Sequence, residues 1–322
     1  MTGLYYDIKT RKKNMRKVIG IGETVLDIIF KDERPVEAVP GGSTFNSIIS
    51  LGRCGVPVTF VSEVGDDRVG HKVLRFLSDN GVDTSCVSVC QGVKSPVSLA
   101  FLDEHNNAEY TFYRDAPHDS PEVMCPDIQA DDIVIFGSFY AVNPARRAQV
   151  SALLEQARDK GAIIYYDINF RPAHRQDIMR ITPNLLDNLE YADIVRASRE
   201  DCATLYKSDE ADRVYKAEIS FYSRRFIYTD GAQPTVVFDN GGLRQEYPVP
   251  PVETVSTVGA GDNFNAGLVY GLMKQGIRRA DLEQGLSAEQ WNSLVSTAQQ
   301  FAADCCRDIF NYVSVEFGES RK

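Results

Sequence analysis

The sequence lacks the markers of several common protein classes. Its seven cysteines include no C-x-x-C pair, so neither a zinc site nor a disulfide framework is indicated. No Gly-Lys dipeptide occurs, which excludes the phosphate loop of P-loop enzymes. No apolar run is long enough to cross a membrane, and Glu23 interrupts the first apolar segment too soon for a signal peptide. These absences predict a cytoplasmic protein with reduced thiols and no membrane partner.

Positively charged residues are fewer than negatively charged ones. Against 45 Asp and Glu residues, the 322-residue chain has only 35 Lys and Arg, which gives a net charge of −10. A field of that sign argues against a nucleic acid partner. The hydrophobic share of 43% is enough for a full core, so an ordinary globular chain is expected.

Short apolar segments alternate with helical patterns along most of the chain. Strand-like residues 18–22 and 58–64 are each followed by a helical pattern that ends at a glycine, and residues 133–206 continue this order. The pattern predicts an α/β fold with a doubly wound, mostly parallel sheet and helices on both faces.

Two stretches, residues 27–39 and 96–114, break this alternation because both are strand-like with no helix inside them. We interpret them as a small β-sheet that projects as a lid, with a turn at residues 105–107. One domain is expected over residues 15–322, after an N-terminal extension of residues 1–14 with little structure. Apolar lid residues would need covering, so pairing of two lids in a homodimer is expected; they are Leu99, Phe101, Phe112 and Tyr113.

A glycine-rich loop precedes a long helical pattern near the C-terminus. Residues without bulky side chains let backbone N–H groups approach an anion, and the helix that begins there adds the positive end of its dipole. Asp262, in the first turn, suits a base that takes a proton from a hydroxyl aimed at that anion. The alternative is an ordinary helix start with an N-terminal aspartate. The loop consists of Gly259, Ala260 and Gly261.

A second glycine segment, Gly-Gly-Ser-Thr-Phe-Asn, occurs at residues 41–46 and has to be considered together with this loop. The two segments resemble the two signatures of the ribokinase-like, or PfkB, carbohydrate kinase family, and residues 16–317 fit the family's order throughout. The resemblance implies a ribokinase-like α/β domain with a β-sheet lid. It also implies an enzyme that transfers the γ-phosphate of Mg-ATP to a hydroxymethyl group of a small sugar held between lid and sheet.

The resemblance also implies roles for single residues. Asp262 matches the family's catalytic base, and the amides of the glycine loop match the anion hole for the transferring phosphoryl group. Arg171, in an Asp-x-Asn-x-Arg segment, is a charge partner for the phosphates, and Glu200 resembles a glutamate that organises magnesium through water. The sugar-contacting positions match Asp27, Gly42 and Asn46. The nucleotide-side positions match Asn169, Thr229, Gly231 and Asn311, although a core helix explains the stretch that ends at Asn311 almost as well.

Three positions depart from the family pattern. Ser256 replaces an aspartate that often supports a monovalent-cation site, which argues against activation by potassium. Ala197 replaces an asparagine, and Pro234 replaces a glycine. A member that binds a sugar as a sensor, without catalysis, therefore stays open as an alternative. Retention of Asp262 favours the enzyme.

Arg114 leaves the choice of sugar open. It ends a segment that resembles the Tyr-Arg ending of the lid in fructokinases and 2-keto-3-deoxygluconate kinases. Its cation can pair with an acid-sugar carboxylate, hydrogen-bond a ketohexose hydroxyl, or form only a rim salt bridge. We expect a fructose-like sugar first, 2-keto-3-deoxygluconate second and a nucleoside third.

Overall fold

The computed structural model describes residues 16–103, 108–115, 126–240 and 242–322, and the fold is given for these residues. The predicted extension at 1–14 and the predicted turn at 105–107 lie outside them. The strands in chain order are β1 (Val18–Ile21), β2 (Val25–Lys31), β3 (Arg34–Gly41), β4 (Val58–Gly65), β5 (Val82–Asp83), β6 (Val87–Cys90), β7 (Val97–Leu102), β8 (Ala108–Tyr113), β9 (Ile133–Gly137), β10 (Ile163–Asp167), β11 (Ile194–Ser198), β12 (Phe226–Asp230), β13 (Gln233–Asp239) and β14 (Leu243–Tyr247).

Helices separate most of the strands of the larger sheet. Among the described residues, none of them combines the length and apolar character needed to span a bilayer. The α-helices are α1 (Ser43–Arg53), α2 (Arg68–Asp79), α3 (Ser138–Val142), α4 (Arg147–Lys160), α5 (Ile178–Tyr191), α6 (Arg199–Tyr206), α7 (Ala211–Val214), α8 (Ala260–Lys274), α9 (Arg279–Gln284), α10 (Ala288–Cys305) and α11 (Val315–Glu319). Short helical turns of other types are Pro144–Arg146, Pro172–Asp177 and Tyr215–Ile219.

The larger sheet runs in the order β14-β13-β12-β11-β10-β9-β1-β4-β5, and β6 pairs with β4. Neighbours from β12 to β5 are parallel, whereas β13 and β14 pair in antiparallel fashion. Alternate residues of β10 enter two separate cores: Tyr165 lies with Phe264 and Trp291, and Tyr166 lies with Leu153 and Leu185. Both faces are therefore covered by helices, and the predicted doubly wound α/β fold is confirmed.

The smaller sheet is the predicted lid. Its order is β3-β2-β7-β8, with β2 and β7 parallel and the other two pairs antiparallel. The stretch predicted as strand over 27–39 forms two strands joined by a tight turn at Asp32 and Glu33, which both have positive φ. β2 and β3 leave the larger sheet after β1 and return to it at α1. These two lid strands are thus inserted between the first strand and the first helix, whereas β7 and β8 follow β6.

Two helices begin at other places than the sequence pattern predicts. The pattern over 144–160 starts as a separate helical turn, Pro144–Arg146, in which the Asn143 side chain accepts the Ala145 N–H. The helix predicted over 183–189 begins at Ile178, one turn earlier, and includes Pro183. Proline favours the first turn of a helix, so a sequence reading takes it as the start.

A buried ion pair connects β12 to the helices behind it. The Nε of Arg225 lies 3.1 Å from Oδ1 of Asp239, and both side chains are almost fully buried. The other oxygen of Asp239 accepts hydrogen bonds from the Trp291 indole and the Leu286 amide, each at 2.9 Å. Removing the carboxylate would leave a buried charge and two buried donors without an acceptor.

We expect Asp239→Ala to lower the free energy of unfolding by about 3–5 kcal/mol, because it leaves the buried Arg225 charge without its carboxylate partner. Urea denaturation measures this as a lower midpoint with an unchanged slope. The matched control is Asp212→Ala, which breaks the exposed ion pair to Arg244 at 2.9 Å. That change should be below about 1 kcal/mol. Equal losses in the two variants would contradict the prediction.

Candidate active site

The predicted site residues gather where the parallel strands end. Asp167 is the last residue of β10, and Asn169 and Arg171 follow it directly. Thr229 lies near the end of β12, and α8 begins just beyond the same edge. Ligands of open α/β sheets bind at this carboxyl edge, so the sheet collects residues that are far apart in the sequence.

The glycine loop before α8 is packed too tightly for side chains. Gly259 has φ of +79°, and a Cβ placed there would lie 2.9 Å from the Asn311 backbone. Asn263 holds the two segments together, because its Nδ2 donates to the carbonyls of Gly259 and Asn311, each at 2.9 Å. The bare backbone at the start of α8 forms a cradle that an anion fits.

The amide of Ala260 differs from the expected anion hole. It donates to the Thr257 carbonyl at 3.2 Å, a bond that closes the turn before the helix. This bond has to break before the amide can bind an anion. The amides of Gly259 and Gly261 are therefore the better candidates in this conformation.

Asp262 is held in place by side chains of α1. Ser43 donates its hydroxyl to Oδ1, and Asn46 donates its Nδ2 to Oδ2, both at 2.8 Å. Asp262 is only 6% exposed, and this burial raises its pKa to about 6 despite the two hydrogen bonds and the nearby charge of Arg171. A carboxylate with such a pKa is ionised at neutral pH and still able to accept a proton.

Asn169 extends this chain of hydrogen bonds. Its Nδ2 donates to the Ser43 hydroxyl at 2.6 Å, which in turn donates to Asp262. Its backbone has φ of +37°, an unusual value for a non-glycine residue. The segment is fixed from behind, since the Phe170 N–H donates to the buried Asp201 carboxylate at 2.6 Å. Strained backbone held by its surroundings is frequent at functional sites.

Asp27 lies on β2, at the base of the lid. It is 5% exposed, and one of its oxygens accepts the hydroxyl of Ser98 on the paired strand β7. Burial raises its pKa to about 6, and the nearby negative charges of Glu23 and Asp262 add to the rise. A narrow crevice has Asp27 and Tyr110 on one wall and Val258 and Asn311 on the other. The structure thus brings the expected sugar contact next to the glycine loop.

A larger cavity, of about 360 Å³, lies beside this crevice. Asp262, Asn46 and Asp27 do not line it, but Glu23 and Thr24, just before β2, do. Within it, Nη1 of Arg114 lies 3.2 Å from Oε2 of Glu23, the rim salt bridge weighed above. Because Asp262 and Asp27 do not line this cavity, the candidate reactive centre is chosen by the chemistry of its residues and not by cavity size.

The remaining expected residues lie at the border of the site. Gly42 is the N-cap of α1, and Arg171 is exposed but close enough to lower the pKa of Asp262. Gly231 is exposed in the turn between β12 and β13. Asn311 is 4% exposed and lies beyond the end of α10, so the alternative of a core helix for its segment is wrong.

No metal centre is preformed in the described part of the chain, where no three His, Cys, Asp or Glu side chains are grouped to hold an ion. Glu200 is a single exposed carboxylate in the first turn of α6. One carboxylate fits an ion that keeps its waters and is held mainly by a bound phosphate. Ser256 is buried, and its hydroxyl accepts the Val258 N–H at 3.2 Å.

Sequence reasoning missed five side chains that hold the site together, all of them buried except Ser43, which is half-buried. They are Ser43, Arg196, Asp201, Asn263 and Asn265. One signal was present: Arg196 is a charge in the middle of the apolar strand pattern at 194–197, where a solvent-facing role is excluded.

Solved structures of sugar kinases share this architecture. Fructokinase from Vibrio cholerae O395, in a form bound to fructose, ADP and calcium ion, aligns with a TM-score of 0.81 and 22% identity. The alignment covers 94% of this chain and 96% of that one. The fold is therefore that of the ribokinase-like kinases.

The family model described as pfkB family carbohydrate kinase matches residues 15–299. The chain belongs to this family and is a sugar kinase, as the two glycine segments predict. The 5-dehydro-2-deoxygluconokinase of Geobacillus thermodenitrificans is 27% identical over 275 residues, 79% of this chain and 80% of that protein. A fructokinase of Klebsiella pneumoniae is 26% identical over 265 residues, 81% and 86% of the two chains.

We expect acid to lower the catalytic rate and, at the same time, to relieve the destabilisation that the buried Asp262 carboxylate causes. A base has to be ionised, so kcat/KM should fall as pH drops through about 6, the pKa of Asp262. Its ordinary value is 3.8, so the folded protein binds this proton more readily than the unfolded chain. The free energy by which Asp262 destabilises the fold therefore grows as pH rises from about 4 to 6 and is constant at higher pH.

The measurements are a pH profile of kcat/KM and urea denaturation at several pH values. Asp262→Asn should be inactive and, at pH 7, more stable than wild type by up to about 3 kcal/mol, a gain that disappears toward pH 4. Asp27→Asn is the control for the other buried acid, and it should keep the acid limb of the rate profile. Loss of the acid limb in Asp27→Asn would contradict the assignment of Asp262 as the base.

Proposed function

We propose that this enzyme transfers the γ-phosphoryl group of ATP to a primary hydroxyl of a fructose-like ketohexose. The observation that carries the proposal is the buried Asp262 carboxylate, held by Ser43 and Asn46 at the start of a helix whose first amides belong to the bare glycine loop. A base beside an anion cradle is the arrangement that phosphoryl transfer to a hydroxyl requires.

In this proposal Asp262 accepts the proton of the sugar hydroxyl. The hydroxyl oxygen forms a bond to the γ-phosphorus, the bond from that phosphorus to the bridging oxygen breaks, and ADP leaves. The amides of Gly259 and Gly261 hold the negative charge that develops on the phosphoryl oxygens. Arg171 adds a cation at the exposed side of the same place.

Both substrates have candidate binding residues at this edge. Asp27, Gly42 and Asn46 are proposed to bind sugar hydroxyls, and the lid that includes Asp27 would exclude water. Magnesium would neutralise phosphate charge and would be held by the nucleotide and, through water, by Glu200. The nucleotide itself would lie along Asn169, Thr229, Gly231 and Asn311.

The ion pair between Arg114 and Glu23 supports a neutral sugar. Its guanidinium is paired with Glu23 at 3.2 Å, and both line the cavity next to the proposed sugar cleft. A sugar carboxylate placed there would meet the Glu23 carboxylate as well as the arginine. A ketohexose hydroxyl can instead accept from Arg114 and donate to Glu23.

A deoxy-keto acid is the second candidate. Relatives named 5-dehydro-2-deoxygluconokinase align over about four fifths of the chain at 24–27% identity. Two further arginines, Arg146 and Arg180, line the same cavity. Each is paired with a carboxylate, that of Glu63 and that of Asp177, so an acid sugar would have to compete for them. The two candidates differ in charge, so a substrate panel separates them.

The test is ADP release with Mg-ATP and, in turn, fructose, 5-dehydro-2-deoxygluconate, 2-keto-3-deoxygluconate, ribose and adenosine. We expect the highest kcat/KM for fructose and a loss of about 10²–10⁴-fold in kcat for Asp262→Ala. Glu23→Gln should shift the ratio of acid sugar to fructose about tenfold toward the acid, because it frees the Arg114 charge.

The double variant Glu23→Gln/Arg114→Gln is the control, and it should lose that shift. Wild-type preference for an acid sugar would overturn the choice of fructose in favour of the second candidate. Stabilisation by a sugar in thermal denaturation, with no ADP from any substrate, would favour the sensor. Turnover by Asp262→Ala equal to that of wild type would remove Asp262 as the base.

We further propose that two chains pair through their lids. The lid strands present apolar side chains to solvent: Val36 is 50% exposed, Phe112 43% and Tyr113 57%. An edge strand that carries such side chains favours pairing with another chain.

Sedimentation should therefore show a dimer for the wild type and a monomer for Val36→Lys/Tyr113→Lys. Phe221→Ser is the matched control, since this side chain is 74% exposed but lies outside the lid sheet. It should leave the dimer intact. A wild-type monomer at micromolar concentration would exclude the pairing.

A further inference from the structure

A buried arginine lies directly beside the glycine loop. Arg196 is in the middle of β11 and only 7% exposed, and its neighbours Val195 and Ala197 are fully buried. A charged side chain inside a parallel sheet requires partners, because desolvation of an unpaired charge is very unfavourable. The identity of those partners indicates what the charge is for.

Arg196 joins two residues at the carboxyl edge of the sheet. Its Nη1 donates to Oδ1 of Asp167 at 3.0 Å, and its Nη2 donates to the hydroxyl of Thr229 at 2.6 Å. The other oxygen of Asp167 accepts from Asn265 of α8 at 2.7 Å. One guanidinium thus connects the ends of β10 and β12 with the helix that carries the proposed base.

The same guanidinium lies against Gly261. A Cβ built at Gly261 would be 3.0 Å from Nη2 and 3.1 Å from Nη1, and its third neighbour is the carbon between them. The charge therefore lies under the first turn of α8, where the Gly261 amide begins the helix. A side chain at position 261 would therefore push the guanidinium out of its present place.

Arg196 keeps its charge in this position. Burial alone would lower its pKa, but the neighbouring carboxylates of Asp167 and Asp201 outweigh burial and raise it. The positive charge is consequently permanent at any pH at which the protein is folded. It adds to the helix dipole at the same end of α8.

A second buried arginine shows what a purely structural pair looks like in this fold. Arg225, just before the neighbouring strand β12, is as buried as Arg196 and also pairs with an aspartate, Asp239. The other partners of Asp239 are Trp291 and Leu286, which belong to the scaffold behind the sheet. Arg196 differs because Thr229 and Gly261 are residues of the site itself.

We propose that Arg196 is a positioning residue for the phosphate chain of the nucleotide. It acts through the Thr229 hydroxyl and the Gly261 amide, which it holds in place, and its charge favours di- and triphosphates over a monophosphate at the glycine loop. This inference rests on the proposed use of ATP.

The test is calorimetric binding of AMP, ADP and a non-hydrolysable ATP analogue, without sugar, to wild type, Arg196→Met and Arg225→Met. The informative quantity is the ratio of the Kd for AMP to the Kd for ADP, which we call the phosphate increment. Arg196→Met should lower this increment about tenfold, in proportion to the loss of one charge-assisted contact, with AMP affinity changed less than threefold. Arg225→Met should lower the melting temperature and leave the increment within twofold.

A folded Arg196→Met protein with the wild-type increment would overturn the proposal, as would an equal loss in both arginine variants. If Arg196→Met does not fold, the phosphate increment is measured on Asp167→Asn/Arg196→Met. This double variant removes both charges of the pair, so neither is left buried without its partner. Its increment should also fall, since Arg196 and not Asp167 lies against Gly261. A wild type that binds no adenine nucleotide would instead refute the proposed use of ATP.

Discussion

The site depends on one contact between two helices that are distant in the sequence. Ser43 and Asn46 of α1 hold the Asp262 carboxylate, and the hydroxyl of Ser47 donates to the Asp262 backbone carbonyl at 2.7 Å. Phe45 of α1 and Phe264 of α8 are buried in the same core. Any shift of one helix against the other would therefore move the carboxylate relative to the glycine loop. This explains why the two glycine segments are informative together: each begins one of these helices.

The two acids of the site are kept in an environment that disfavours their charge. Asp27 and Asp262 are both buried, and for each of them burial is the main cause of a pKa near 6. Their surroundings destabilise the folded protein at neutral pH, which is common where residues are arranged for catalysis rather than for folding. Asp27 adds to this through the lid, because its partner Ser98 belongs to β7. The burial of Asp27 thus depends on the packing of the two lid strands β2 and β7.

The sequence pattern was sufficient for the architecture, and the fold brings predicted site residues together at the carboxyl edge of the larger sheet. Alternating strands and helices predicted the sheet, and the break in that alternation predicted the lid. It was not sufficient for contacts between neighbouring strands, because spacing in one strand does not tell which side chain of the next strand it meets. Arg196 and Thr229 illustrate this, since their hydrogen bond joins β11 and β12 over 33 positions. The pattern also could not predict that the Ala260 amide is already hydrogen-bonded, because this bond depends on the turn geometry at Thr257.

Two groups of the chain bring positive charge to the start of α8: the helix dipole and the buried Arg196. The loop in front of α8 is anchored by its backbone, since the amides of Val255 and Ser256 both donate to the Cys306 carbonyl, at 2.8 and 3.3 Å. The Ser256 hydroxyl accepts the Val258 amide, so this position stabilises the loop by a neutral hydrogen bond. With a neutral residue there, no carboxylate offsets the helix dipole or the buried Arg196 from that side. The replacement of aspartate by Ser256 and the presence of Arg196 therefore act in the same direction, because the first omits a negative charge near the start of α8 and the second adds a positive one.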